Sequence, residues 1–256
     1  EESMARPAVL TVADTIARSF LRSVETRGDR PAIREKKFGI WHPTSWREWL
    51  QISKDIAYGL HASGFQPGDV ASIIANAVPE WVYADMGILC AGGVASGIYP
   101  TDSAVQVEYL INDSSTKVIF AEDEEQLDKI LACRSRCPTL QKIVVFDMEG
   151  LHAFSDPMVL SLAEFMALGR NHAQEREALW DEMIGSRTAD DLAILVYTSG
   201  TTGPPKGAMH SNRSVTHQMR HANDLFPSTD HEERLVFLPL CHVAERVGGY
   251  YISLAL

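Results

Sequence analysis

The sequence predicts an α/β fold in which mostly parallel sheets carry helices on both faces. Three observations lead there. Short apolar runs at 70–75, 118–121, 143–146 and 193–197 lack polar alternation, as fully buried strands do. Stretches with helical spacing and cap residues alternate with them, giving a βαβ rhythm. No internal repeat, low-complexity segment or Pro/Gly-rich linker divides the 256 residues, whose 45% hydrophobic content can fill a sizeable core.

The elements follow in order. Val12, Ile16, Phe20 and Val24 predict a first helix ending near Gly28. Ser45 and Glu48 form a capping box ahead of Trp49, Ile56 and Leu60, with a stop at Gly64. Val70 to Ala75 is a strand, and Pro79 then opens a helix through Trp81, Met86 and Leu89 that ends at Gly92 and Gly93. After GIYPT, Ser103 to Asn112 reads as a helix capped with Gln106, Val118 to Ala121 as a strand, Gln126 to Ala132 as a helix and Ile143 to Phe146 as a strand. The acidic run Glu122 to Glu125 reads as a solvated helix start, where carboxylates favour the positive end of the dipole. Residues 147–190 look like a surface excursion holding one capped helix, Ser161 to Leu168. Leu235 to Leu238 reads as a strand, followed by a helix with Val243, Val247, Tyr250 and Leu254 on one face. With no initiator methionine, and with YYISLAL inside that helix, the sequence reads as part of something longer.

The stretch YTSGTTGPPKG, residues 197–207, is read as a loop between the Ala193–Tyr197 strand and a helix capped by Ser211 or Asn212 that carries Val215, Met219, Ala222 and Phe226. Glycines let a backbone approach a ligand, hydroxyls donate and Lys206 is positive, so the composition suits phosphate oxygens; a purely structural turn is the competing reading. It is not a Walker A loop, because no Gly-Lys-Ser/Thr triplet stands at that spacing.

Composition narrows the partners. A net charge of −11 argues against a sequence-independent grip on nucleic acid, so a polyanion must be held by a local site. No apolar run approaches a membrane span and EESMARPAVL lacks the regions of a secretory signal, which makes a cytoplasmic location the default expectation. The four cysteines do not form a disulfide framework; Cys133 and Cys137 could supply half a metal site, but an ordinary buried pair is the favoured reading.

YTSGTTGPPKG closely resembles the signature phosphate loop of the adenylate-forming enzymes, the superfamily of acyl-CoA synthetases, luciferases and peptide-synthetase adenylation domains. LPLCHVAERV, residues 238–247, resembles its second motif, and TSWREW, the stretch from Gly97 to Ile130 and SLAEFMALG resemble long-chain fatty acyl-CoA synthetases. The resemblance implies that residues 1–256 are an incomplete large N-terminal, AMP-binding domain with intertwined α/β halves, to be followed by a C-terminal catalytic lid domain. It implies a ligase in which a fatty acid attacks the α-phosphate of ATP, with Mg2+, giving acyl-adenylate and pyrophosphate, after which coenzyme A displaces AMP. Phosphate binding then falls to Thr198, Ser199, Gly200, Thr201, Thr202, Gly203 and Lys206, and His242 corresponds to the motif histidine beside the acyl carboxylate. The residues alone offer His242 another part, as the cap of the helix that begins there.

In some long-chain members an aromatic gate stands where this sequence has Arg246, which can pair with Glu245, pair with another carboxylate or attract a substrate head group. The adenine, ribose and magnesium residues and the catalytic lysine are expected after residue 256, so the fragment alone is expected to be inactive. A ligase for an aryl, medium-chain or amino acid, and a non-catalytic nucleotide-binding module, remain the alternatives. Substrate arriving from a bilayer leaves peripheral membrane contact open, although an acidic surface does not favour anionic lipids.

Overall fold

The computed structural model describes residues 14–174, 176–198, 203–225, 227, 229 and 232–255. Its centre is a seven-stranded sheet built as the alternation predicts. The strands are β3 (Val70–Ile74), β4 (Val94–Ile98), β5 (Val118–Ala121), β6 (Lys142–Val145), β7 (Val159–Ser161), β8 (Leu192–Thr198) and β9 (Lys206–Ser211), in the spatial order β7-β6-β5-β3-β4-β8-β9. All neighbours are parallel except β8 and β9. A separate antiparallel hairpin, β1 (Pro31–Lys37) and β2 (Ile40–Ser45), precedes the sheet.

Period-two side-chain direction feeds two cores. Ala71, Ile73, Val118, Phe120 and Val144 point to one face, where α1 (Ile16–Arg27), α2 (Trp46–Ala62), α3 (Pro79–Cys90) and α6 (Leu162–Ala173) bring Phe20, Trp49, Ile56, Trp81 and Phe165. Ile74, Ile119, Ala121, Ile143 and Val145 point to the other, covered by Val107, Leu110 and Ile111 of α4 (Ala104–Ser114) and by Leu127 and Ile130 of α5 (Glu124–Cys133). Each buried Val, Leu, Ile or Phe among them contributes about 1.5–3 kcal/mol by leaving water. On the first face α2 and α6 cross at backbone contact: a Cβ on Gly169 would lie 2.3 Å from the Asp55 carbonyl and 2.5 Å from the Gly59 nitrogen.

The helix starts follow their sequence signals. Ser45 with Glu48, Ser103 with Gln106, and Ser161 with Glu164 each form a complete capping box. Within the acidic run, Asp123 caps α5 by accepting from the Gln126 amide. Glu122 has a different task, accepting from the Asn76 amide at 2.6 Å and side chain at 2.9 Å across the β3–α3 turn. The four cysteines are buried and free. Among the described residues no helix is long and apolar enough to cross a membrane.

Three expectations are corrected. Residues 147–190 are not a surface excursion: β7 extends the sheet, Phe165 of α6 is fully buried, and α7 (Leu179–Gly185) buries Leu179 and Met183. The segment 235–238 forms no strand, and Leu235 and Phe237 are each 73% exposed; strand-forming residues without a strand beside them have no ladder to join. The glycine-rich stretch does not lead directly into a helix. It connects β8 to the antiparallel β9, and α8 (Asn212–Leu225) starts only afterwards.

Between α2 and α6, His61 Nδ1 and His172 Nε2 share a hydrogen bond at 2.9 Å. Burial, then His172 and Arg176, lower the His61 pKa below its ordinary value near 6.5. A depressed folded-state pKa stabilises the fold above the ordinary value, and that stability is lost as pH falls through the depressed one. His61→Gln is therefore expected to flatten the decline in melting temperature between about pH 7 and 5; an unchanged slope would mean that the pair does not couple to folding.

Candidate functional site

The sheet positions a cavity outside the carboxyl ends of β4 and β8, where open α/β sheets bind ligands. Its volume is about 400 Å³, and its lining includes Gly97, Tyr99, Asp102 and Gln106 beyond β4, Val196, Tyr197 and Thr198 at the end of β8, and Pro205, His242 and Val243. Thr198 faces Lys206 in the β8–β9 register and Tyr197 faces Gly207. Directly opposed residues in a ladder send their side chains to the same face, so Lys206 and Thr198 start from one face of the ladder, although Thr198 lines the cavity and Lys206 does not. Both residues are exposed, as is Gly203, whose φ of +89° suits glycine. Ser199, Gly200, Thr201 and Thr202 lie outside the described residues.

His242 reaches the same cavity from a segment far away in the sequence. The chain from Val243 to Ala255 is helical, as a short α-turn, Val243–Glu245, a π-helical stretch, Arg246–Tyr250, and a 3-10 stretch, Tyr251–Ala255. His242 caps it: Nδ1 accepts from the Ala244 amide at 3.1 Å. An accepting Nδ1 places the proton of a neutral imidazole on Nε2, which leaves a donor for the cavity. Capping and ligand contact are therefore compatible, because they use different nitrogens. Next to it, burial pushes the Cys241 thiol up to about 12, so it stays neutral.

Arg246 does not guard an opening. It is fully buried, its guanidinium donates to Asp85 of α3 and, at 3.0 Å, to the Tyr251 hydroxyl, and it stacks 5.1 Å from the Trp81 ring centre. Burial disfavours its charge, yet Asp85 and Tyr251 together, through charge and hydrogen bonds, outweigh this and raise the pKa. Of the readings the sequence left open, pairing with another carboxylate is the one observed. Glu245 pairs with Arg234 instead, at 3.2 Å.

A second cavity of about 390 Å³ lies between α8 and the Val243–Tyr250 turns. Val215, Ala222, Val243, Val247 and Ile252 give it an apolar wall, with His210, Ser214 and Gln218 among its polar members. Val243 borders both cavities. Sequence reasoning missed Asp102, Tyr99 and Gln106 as lining residues; the YPTD turn that ends the buried strand β4 was the available signal. Burial raises the Asp102 pKa, as expected for a carboxyl withdrawn to a cavity wall.

Residues 20–256 match the AMP-binding enzyme family. The human protein named long-chain-fatty-acid–CoA ligase ACSBG1 is 32% identical over 237 residues, covering 91% of this chain and 32% of the relative. The Xenopus laevis long-chain-fatty-acid–CoA ligase ACSBG2 is 31% identical over 244 residues, covering 94% and 32%. The chain thus spans about a third of the length of these curated relatives. Among solved structures, the anthranilate CoA ligase AuaEII in complex with anthranoyl-AMP superposes with a TM-score of 0.81 at 19% identity, over 96% of this chain and 44% of that one. A putative long-chain-fatty-acid CoA ligase from Rhodopseudomonas palustris does so with a TM-score of 0.76 at 17% identity, over 95% and 56%. The fold is that of the N-terminal domains of adenylate-forming enzymes, and the chain belongs to the AMP-binding enzyme family.

Proposed function

We propose that the chain is the first portion of the large N-terminal domain of a fatty acid–CoA ligase, which consumes ATP and coenzyme A. The observation that carries this reading is one shared residue: Val243 borders both the polar cavity holding Thr198 and His242 and the apolar cavity beside α8. On this reading an acyl chain held in the apolar cavity would pass Val243 and present its carboxylate to the polar one. There the Thr198 hydroxyl suits triphosphate oxygens, with the charge of Lys206 opposite it in the ladder at the cavity's edge, and the N–H at His242 Nε2 suits the carboxylate or the adenylate oxygen formed from it. The roles of Ser199, Gly200, Thr201, Thr202 and Gly203 as phosphate donors belong to the same reading.

Attack of a carboxylate on a phosphate joins groups of like charge, so the protein must neutralise and orient the departing pyrophosphate before the bond forms. Magnesium, carried in with ATP, would add positive charge at the phosphates; the hydroxyls and amine here are donors to phosphate oxygen, and among the described residues no cluster of three or more His, Cys, Asp or Glu side chains stands ready for a metal. On this reading the remaining two thirds of a full-length protein supply the other half of the domain and the lid, and residues 1–256 alone do not complete either half-reaction.

A pyrophosphate-release panel on the full-length protein tests the substrate class. Release with palmitate but not with benzoate or amino acids is the expected result. Preference for benzoate or an amino acid would replace the fatty acid with another carboxylate, and no release with any acid would favour a non-catalytic module.

A further inference from the structure

One helix holds both ends of the glycine-rich turn. The Tyr197 phenol, at the end of β8, donates to Asp113 Oδ2 of α4 at 2.8 Å. One helical turn earlier, the Tyr109 phenol donates to the Pro205 carbonyl at 2.9 Å, while Asp113 Oδ1 stands 3.4 Å from the same hydroxyl. A phenol has a single proton, and the shorter contact takes it. Pro205 lacks an N–H, so its carbonyl is the only backbone group by which that residue can be tied. Gly207 makes the arrangement fit: a Cβ there would stand 3.1 Å from Tyr197 Cζ. The helix is itself a firm base, closed by its capping box and buried along Val107, Leu110 and Ile111. Burial and Asp113 together push the Tyr197 pKa up, which keeps the phenol a donor at neutral pH.

We propose that Tyr109 and Asp113 are positioning residues for the phosphate turn, fixing Tyr197 and Pro205, and with them the adjoining Thr198 and Lys206, for the triphosphate. This rests on the nucleotide reading given above. Neither residue lines either cavity; both act through the ends of the turn. A misplacement of about 1 Å is enough to cost about a hundredfold in rate when groups must be prealigned.

The test is ATP–pyrophosphate exchange by the full-length protein with saturating acid. Tyr109→Phe and Asp113→Leu are each expected to raise the KM for ATP about tenfold, the equivalent of one lost hydrogen bond, while the KM for acid stays put. Asp113→Asn keeps an acceptor oxygen for Tyr197 and is expected to stay within about twofold of wild type. Amide hydrogen exchange of the 198–207 peptide, read without substrates, should accelerate in Tyr109→Phe with the melting temperature unchanged. Wild-type KM and wild-type amide exchange in both variants would overturn the proposal. Lys206→Ala separates the two ideas: a loss of about a hundredfold there beside unaffected Tyr109 and Asp113 variants removes the clamp alone, whereas Lys206→Ala without effect removes the nucleotide reading beneath it.

Discussion

Replacing Asp85 with alanine is expected to destabilise the protein by about 3–5 kcal/mol, a large share of the stability of an ordinary domain. Asp85 and Arg246 are both fully buried, 161 residues apart in sequence, and they meet as an ion pair. The Tyr251 hydroxyl completes the cluster, donating to Asp85 Oδ2 at 2.8 Å while accepting from Arg246 Nε. Alanine would leave the guanidinium charged and dry, against an aromatic ring and the Ala95 carbonyl, 3.3 Å away. The cost is that of stranding a charge, which differs from what the pair contributes. Removing both charges together, as Asp85→Leu with Arg246→Met, is accordingly expected to cost far less than either single change. Thermal and urea denaturation of wild type, Asp85→Ala, Asp85→Leu, Arg246→Met and the double variant checks this, and a single variant as stable as wild type would show that the pair does not hold the Val243–Ala255 segment to α3.

Gly97→Val is expected to lower adenylate formation by the full-length protein about a hundredfold, together with a loss of about 1–3 kcal/mol in stability. Gly97 lies in β4 between Ile73 and Val196. A Cβ at this position would come within 2.6 Å of Cys241 Cβ and 2.7 Å of Cys241 Cα, contacts that no rotamer can relieve because the backbone is one of the partners. The valine must therefore push away Cys241 and His242, which follows it, from the wall of the polar cavity. Gly97→Ala should give a milder loss in the same direction. Single-turnover adenylation with saturating ATP and acid measures the effect, and full activity in the valine variant would mean that the position of His242 does not matter to the reaction.

These two sites show where the sequence was readable. Strands β3, β5, β6 and β8 and the three capping boxes were legible because their signals are local: a run of branched apolar residues, or a serine with Glu or Gln three residues on. The β1–β2 hairpin escaped because its turn places Phe38 at φ +52° ahead of Gly39, an unusual residue for the left-handed region. Strand β9 escaped because KGAMHS has no strand pattern of its own and is ordered by its ladder with β8. The phosphate turn could be suspected from glycine, threonine and lysine between apolar flanks. That it shares a cavity with His242 could not, since only the folded sheet brings residues 198 and 242 together there. Arg246 illustrates the same limit more sharply, because its partner was decided by packing on α3 and not by the glutamate beside it in sequence.

The sheet is asymmetric in what it allows. At one border β7 contributes only three residues, too little ladder to recruit a neighbour, while at the opposite border β9 offers six, running against the other strands with Met209 open to solvent. Among the described residues, the longer template for a further strand, from the rest of a longer polypeptide or from another molecule, is therefore on the β9 side, which favours enlargement of this architecture in that direction.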